Sequence, residues 1–244
     1  MYARPKFDLR PVMESLAATA LIIGTSVVVI VDGVLLRNEV RENSLTEFLQ
    51  AALLLLACAA FAKAAHRSPK LSFVPILLAG VCACAVVRES DAHFDHIWHG
   101  FWRVPAVLVA GVTVYLLIRH RGIWRASLAS YLSTRSFTFA SIGFAVTLLF
   151  SRIFGTGRFW KALLPQESGI ITKTIVQEGL ELLGCTLIAV SAASLLADVA
   201  SQTAVGKDES DQRGTPPEPV ILPFPDQGEG EDLGEYVAPR RRAA

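Results

Sequence analysis

Six long apolar runs dictate what this chain can become. They cover about residues 13–36, 46–65, 71–90, 104–119, 136–154 and 176–198, with short polar connections between them. A helix that crosses a bilayer takes about 20 predominantly apolar residues. Within hydrocarbon every backbone amide has to be bonded inside the protein, and runs of this composition meet that demand as helices. Charged residues make up 18% of the chain, where a soluble domain carries about 25%. The expectation is an all-α polytopic bundle of about six transmembrane helices over residues 13–200. A cytoplasmic segment, 1–12, precedes it and a disordered cytoplasmic tail, 201–244, follows.

The first run follows Arg4, Lys6 and Arg10 and ends in Leu35-Leu36-Arg37. It is longer than the apolar core of a signal peptide, about 7–15 residues, and lacks a small-residue cleavage site, so it reads as a retained span. The net charge is +1, which supplies no global basic field and argues against a nucleic-acid partner. Cys58, Cys82, Cys84 and Cys185 all lie in apolar runs without Cys-x-x-Cys spacing, and read as small packing residues.

Orientation follows from the short loops. Crossing six times places the N-terminus, the Lys63-to-Lys70 loop, the Arg119-to-Arg135 loop and the tail on one side. Those two loops hold Lys63, Arg67, Lys70, Arg119, Arg121, Arg125 and Arg135 with no acid among them. On the other side, basic residues are interleaved with acids. Both termini are therefore expected in the cytoplasm, with the protein in the inner (plasma) membrane. Between Gly155 and Lys173, the spacing of Phe159, Trp160, Leu163 and Leu164 ahead of Pro165 predicts a short interfacial helix. From about Gln202 the chain turns to Pro, Gly and acids, a composition that cannot bury enough surface to fold. Val220 to Phe224 is an apolar island there, a docking point for a cytoplasmic partner if it is more than linker.

The same alternation sorts the acids. Asp32 near the end of helix 1, Glu47 opening helix 2, Glu89, Asp91 and Asp95 closing helix 3, and Glu178 and Glu181 opening helix 6 all fall at one membrane face. Asp32, Gln50 and Glu181 lie about one turn inside, ~5 Å at 1.5 Å per residue. Ionisable groups at that depth that face a bundle interior read as functional. Glu178 and Glu181 share a stripe with Cys185, Ala189 and Ala192, which points them inward. Bland readings stand beside these. Ser44-Leu45-Thr46-Glu47 has the form of a capping box, and Asp32 would pair with Arg37 or Arg152.

Arg88 to Arg103 gathers Glu89, Asp91 and Asp95 with His93, His96 and His99. Read as one helix, it has Phe94, Ile97, Trp98 and Phe101 on an apolar stripe. Asp95 and His99 then share one face, and Glu89, His93 and His96 an adjacent one. Asp95-x-x-x-His99 with Glu178-x-x-Glu181 would supply an oxygen- and nitrogen-rich shell for a divalent metal such as Zn, with Glu89 or His96 as general base. His66 and His120 adjoin Arg67 and Arg119 rather than an apolar pocket, which argues against haem.

The Arg-Glu-x-Asp-x-x-Phe-Asp run from Arg88 to Asp95, with Gln-Glu-Gly-Leu-Glu-Leu from Gln177 to Leu182, resembles a pattern in bacterial multi-pass inner-membrane proteins of no assigned activity. A looser likeness is to the CREST-type membrane hydrolases, alkaline ceramidases among them. Those hold zinc in a helical bundle with a Ser, an Asp and three His. This chain departs from them in counting six spans where seven are expected, and in carrying its three clustered histidines on one segment. Three functional readings follow: a metal-dependent intramembrane hydrolase, a cation- or proton-coupled transporter, and a non-catalytic scaffold whose tail recruits a partner.

Overall fold

The computed structural model describes residues 9–35 and 44–214. Among them there is no strand. Helix α1, Arg10–Ile30, runs on into a π-turn over Val31–Leu35. Helix α2 is Leu45–Arg67 and α3 is Phe73–Glu89. A single turn, α4 (Asp91–Phe94), leads to α5, Arg103–Arg119, and to the short α6, Trp124–Leu132. Helix α7, Arg135–Ala145, passes through a π-turn at Val146–Phe150 into α8, Ser151–Phe154. The short α9 is Gly157–Leu163, and α10 runs from Gln166 to Gly214.

Four of these stretches are long and apolar enough to cross a membrane: Ser15–Gly33, Leu45–Arg67, Arg135–Phe154 and Ser168–Thr203. Arg103–Arg119 with Arg121–Leu132 makes a fifth if the pair, bent by 63°, counts as one broken span. The chain is thus an all-helical protein with the helices of a membrane protein. The apolar side chains turned outward fit that reading, since Leu55, Leu56, Val107, Leu108, Leu148 and Leu149 are all more than half exposed. Helix α5 has no buried residue at all.

Helix α10 is the axis. It packs on α2, α7 and α1, while α2 packs on α3 and α3 on α5. Buried residues make up 67% of its best apolar window, against 17% for α1 and for the α7–α8 span. Phe61, Cys82, Leu182, Ile188 and Ala192 form the driest part of the core. Polar side chains lock the neighbours in place. Ser136 and Ser191 exchange hydrogen bonds reciprocally, Ser136 Oγ to the Ser191 carbonyl at 2.9 Å and Ser191 Oγ to the Ser136 carbonyl at 2.8 Å. Ser127 Oγ accepts from the Val74 amide at 3.0 Å and donates to the Leu71 carbonyl at 2.7 Å, tying α6 to the start of α3.

Two sequence expectations hold here and three change. The short helix expected before Pro165 forms as α9. The Ser44 cap forms, its Oγ accepting from the Glu47 amide at 3.2 Å. The segment from Arg88 to Arg103 is not one helix. After α4 the chain folds through consecutive turns, and Gly100 takes φ +83°, a conformation that breaks helical propagation. The aromatic contacts survive in another form, with Trp98 edge-on to Phe101 at 4.6 Å between ring centres. The Arg119-to-Arg135 connection contains helix α6 rather than loop alone. Lastly, α10 continues helically to Gly214, past the Gln202 boundary expected for disorder. Helix extension adds a hydrogen bond for each residue fixed once a helix exists. The apolar island at 220–224 lies outside the described residues.

Candidate functional site

The start of α2 and the early turns of α10 run side by side, and Gln50 joins them. Gln50 is fully buried. Its Nε2 donates to the Glu178 carbonyl at 3.0 Å and to Glu178 Oε2 at 3.1 Å. One turn on, Glu181 is 5% exposed and accepts at Oε1 from Gln177 Nε2 at 3.3 Å. Glu89, at the end of α3, pairs with the Arg88 guanidinium at 2.8 Å. Glu47, Glu89, Glu178 and Glu181 lie close enough for their charges to act on one another. Three helices thus contribute carboxylates to one place.

Gln50 Oε1 is buried and accepts no hydrogen bond from the described residues. An unsatisfied buried acceptor costs about 1–3 kcal/mol. Reversing the amide would relieve nothing, because it would turn an oxygen toward Glu178 and lose both bonds made by Nε2. The acceptor therefore stays without a donor among the described residues, on the side chain that holds Glu178.

Asp32 has a different task. It is fully buried, and its Oδ2 accepts from the Thr46 amide at 2.9 Å and from Thr46 Oγ1 at 2.7 Å. The expected partners were Arg37 or Arg152. Arg37 lies outside the described residues; among the described ones the acid caps helix α2 from the end of α1. A carboxylate at a helix N-terminus satisfies orphan amides and complements the dipole.

The Asp95–His99 pair forms as the spacing requires, with His99 Nδ1 at 3.0 Å from Asp95 Oδ2. It does not reach the glutamates. Asp95 Oδ1 accepts from the Gly100 amide at 2.8 Å. That bond, with lesser help from His99 and Arg103, holds the Asp95 carboxyl below the usual carboxylate range. His99 is 97% exposed. His96 is exposed too, its Nδ1 meeting the Ala92 carbonyl at 2.9 Å. Asp91 opens α4, half-buried. Among the described residues no three His, Cys, Asp or Glu are grouped as a metal ion would need. The set of Asp95, His99, Glu178 and Glu181 is therefore not assembled.

Of the residues singled out by sequence, Glu47, Gln50, Glu89, Glu178 and Glu181 come together, while Asp32, Asp95, His96 and His99 make other contacts and Asp91 opens α4. Two partners were missed. Gln177 sits one turn before Glu181, a spacing readable in advance. Thr46 is hidden inside the Ser44–Glu47 capping pattern, and only the three-dimensional approach of α1 reveals its role. No family model, no curated protein and no solved structure matches the chain.

Proposed function

We propose that this chain is a six-span inner-membrane protein whose glutamate cluster takes up and releases protons, as in a proton-coupled transporter. The buried Gln50 Oε1, left without a donor on a side chain whose Nε2 binds Glu178, carries the reading. A proton on a neighbouring carboxyl group would supply that donor. It would also relieve the repulsion among Glu47, Glu89, Glu178 and Glu181, which a low-dielectric bundle strengthens. Intramembrane acids facing a bundle interior recur in proton relays. The lack of grouped metal ligands among the described residues favours protons over a metal ion and over the hydrolase reading.

Helices α3 and α5, 17 residues each, complete six crossings in this reading. At 1.5 Å per residue each is ~26 Å long, enough for a core of about 30 Å with flanking anchors. Both termini then face the cytoplasm, with the basic loops, and the glutamate cluster faces outward. The scaffold reading keeps one observation in its favour: Asp32 is consumed by a structural cap.

The test is proton binding by the purified protein. Infrared difference spectra over about pH 5 to 8, the range of physiological switches, should show a carboxylic acid band that rises as pH falls. Glu178→Gln with Glu181→Gln should remove most of it, and should abolish proton movement into proteoliposomes. An unchanged band in that double variant would sink the proposal.

A further inference from the structure

Away from the glutamates, α1, α2 and α10 enclose an open groove of about 740 Å³. It exists because α1 leans on α10 and touches α2 only lightly, while the facing surfaces of α2 and α10 carry alanines too small to fill the wedge. Its walls are apolar, with Leu21 of α1, Leu53 and Ala60 of α2, and Ala189 and Ala197 of α10. One charged side chain lines it, Arg67, at the end where α2 finishes.

Three features specify an occupant. The volume lies within the roughly 300–1,000 Å³ of sites that enclose a ligand. From Ala189 to Ala200, both in the lining, α10 rises ~16 Å, about half of a 30 Å hydrocarbon core. The groove is therefore as deep as one leaflet. At its mouth, Arg67 is exposed and has no carboxylate partner among the described residues. His66 shares the last turn of α2, and Lys70 follows in the next short turn, with no acid between Lys63 and Lys70. A headgroup carrying its own ammonium would meet this basic end less favourably than one with net negative charge.

We propose that the groove holds one anionic phospholipid from the leaflet on the side where α1 begins. Its acyl chains lie along the alanine walls and its phosphate sits on the Arg67 guanidinium, as basic groups beside membranes engage anionic headgroups. The site is separate from the glutamate cluster, at the opposite end of α2.

Native mass spectrometry of the full chain, titrated with phosphatidylglycerol or phosphatidylcholine, tests this. The wild type should retain one phosphatidylglycerol in preference to phosphatidylcholine. Arg67→Gln should weaken that retention roughly fivefold, the effect of about one basic residue beside an anionic headgroup. It should weaken phosphatidylcholine binding less, because that lipid's own ammonium already offsets the charge of its phosphate. Ala197→Phe, which fills the groove but leaves Arg67 in place, should remove the bound lipid. Equal retention of the two lipids by the wild type would overturn the site, as would wild-type retention by either variant. Glu181→Gln should keep its lipid, so failure of the proton reading leaves this one standing.

Discussion

A carboxylate can hold two parts of a chain together, Asp32 through one oxygen and Asp95 through both. Asp32 joins one helix to the next through Thr46. Asp95 closes a turn through Gly100 and His99. Because the Gly100 amide lowers the Asp95 carboxyl below its ordinary value, the ionised form is the one the folded turn prefers. That stabilisation is complete above the unfolded value of about 3.9 and is lost as pH falls through the lowered value. Hydrogen exchange at the Gly100 amide, corrected for the intrinsic rate, should show protection that is flat from neutral pH down to about 4 and falls beyond it. Asp95→Asn should lower the protection already at neutral pH; no change would mean that the bond does not hold the turn. The sequence states the Asp95–His99 spacing outright, and the pair forms. It does not announce that Gly100 will turn the chain left-handed, because a glycine followed by aromatic residues is also compatible with a helix.

The crossing of α7 and α10 shows how elements are placed by what they lack. A Cβ on Gly184 would lie 2.8 Å from the Gly143 carbonyl oxygen and would collide with Thr147 Oγ1. A Cβ on Gly143 would lie 2.9 Å from the Gly184 carbonyl oxygen. Small residues at both helices permit this approach, the usual means of association in lipid. Gly184→Ala should therefore destabilise the bundle by about 1–3 kcal/mol, the range for overpacking. Gly111→Ala, where the new methyl group meets open space, should be neutral or slightly stabilising. Unfolding midpoints in detergent would read both, and equal values would refute the close crossing. Apolar run length locates α1, α2, α3, α5, α7 and the middle of α10, because every turn of such a helix is apolar. It says little about α6 or about residues 202–214, which are helical without being apolar enough to stand out.

For the molecule as a whole, parity of crossing is the decisive quantity. With six spans, single cysteines at Ser68→Cys and Gly122→Cys, in a background free of native cysteine, should react with a membrane-impermeant reagent from the cytoplasmic side. His99→Cys and Thr156→Cys should react from the outside. Reaction of all four from one side would remove the six-span topology. The expected alternation of helix ends also made the gathering of glutamates readable from sequence, since it groups Glu47, Glu89, Glu178 and Glu181 at like ends. It fixes an end only to within a layer of the membrane, so it could not separate the glutamates around Gln50 from the carboxylate in the Asp95 turn.

Helix α10 has 49 residues, ~74 Å at 1.5 Å per residue, more than twice a hydrocarbon core of about 30 Å. It is held most closely at Gly184, ~27 Å along from Gln166. From that fulcrum Glu178 is ~9 Å away and Gly214 ~45 Å away along the rod. A tilt that shifts the glutamate by 1 Å would swing the far tip by about 5 Å in the opposite sense, by the ratio of those arms. The long arm points toward the tail, so the geometry of a see-saw is already built into the axis of the bundle.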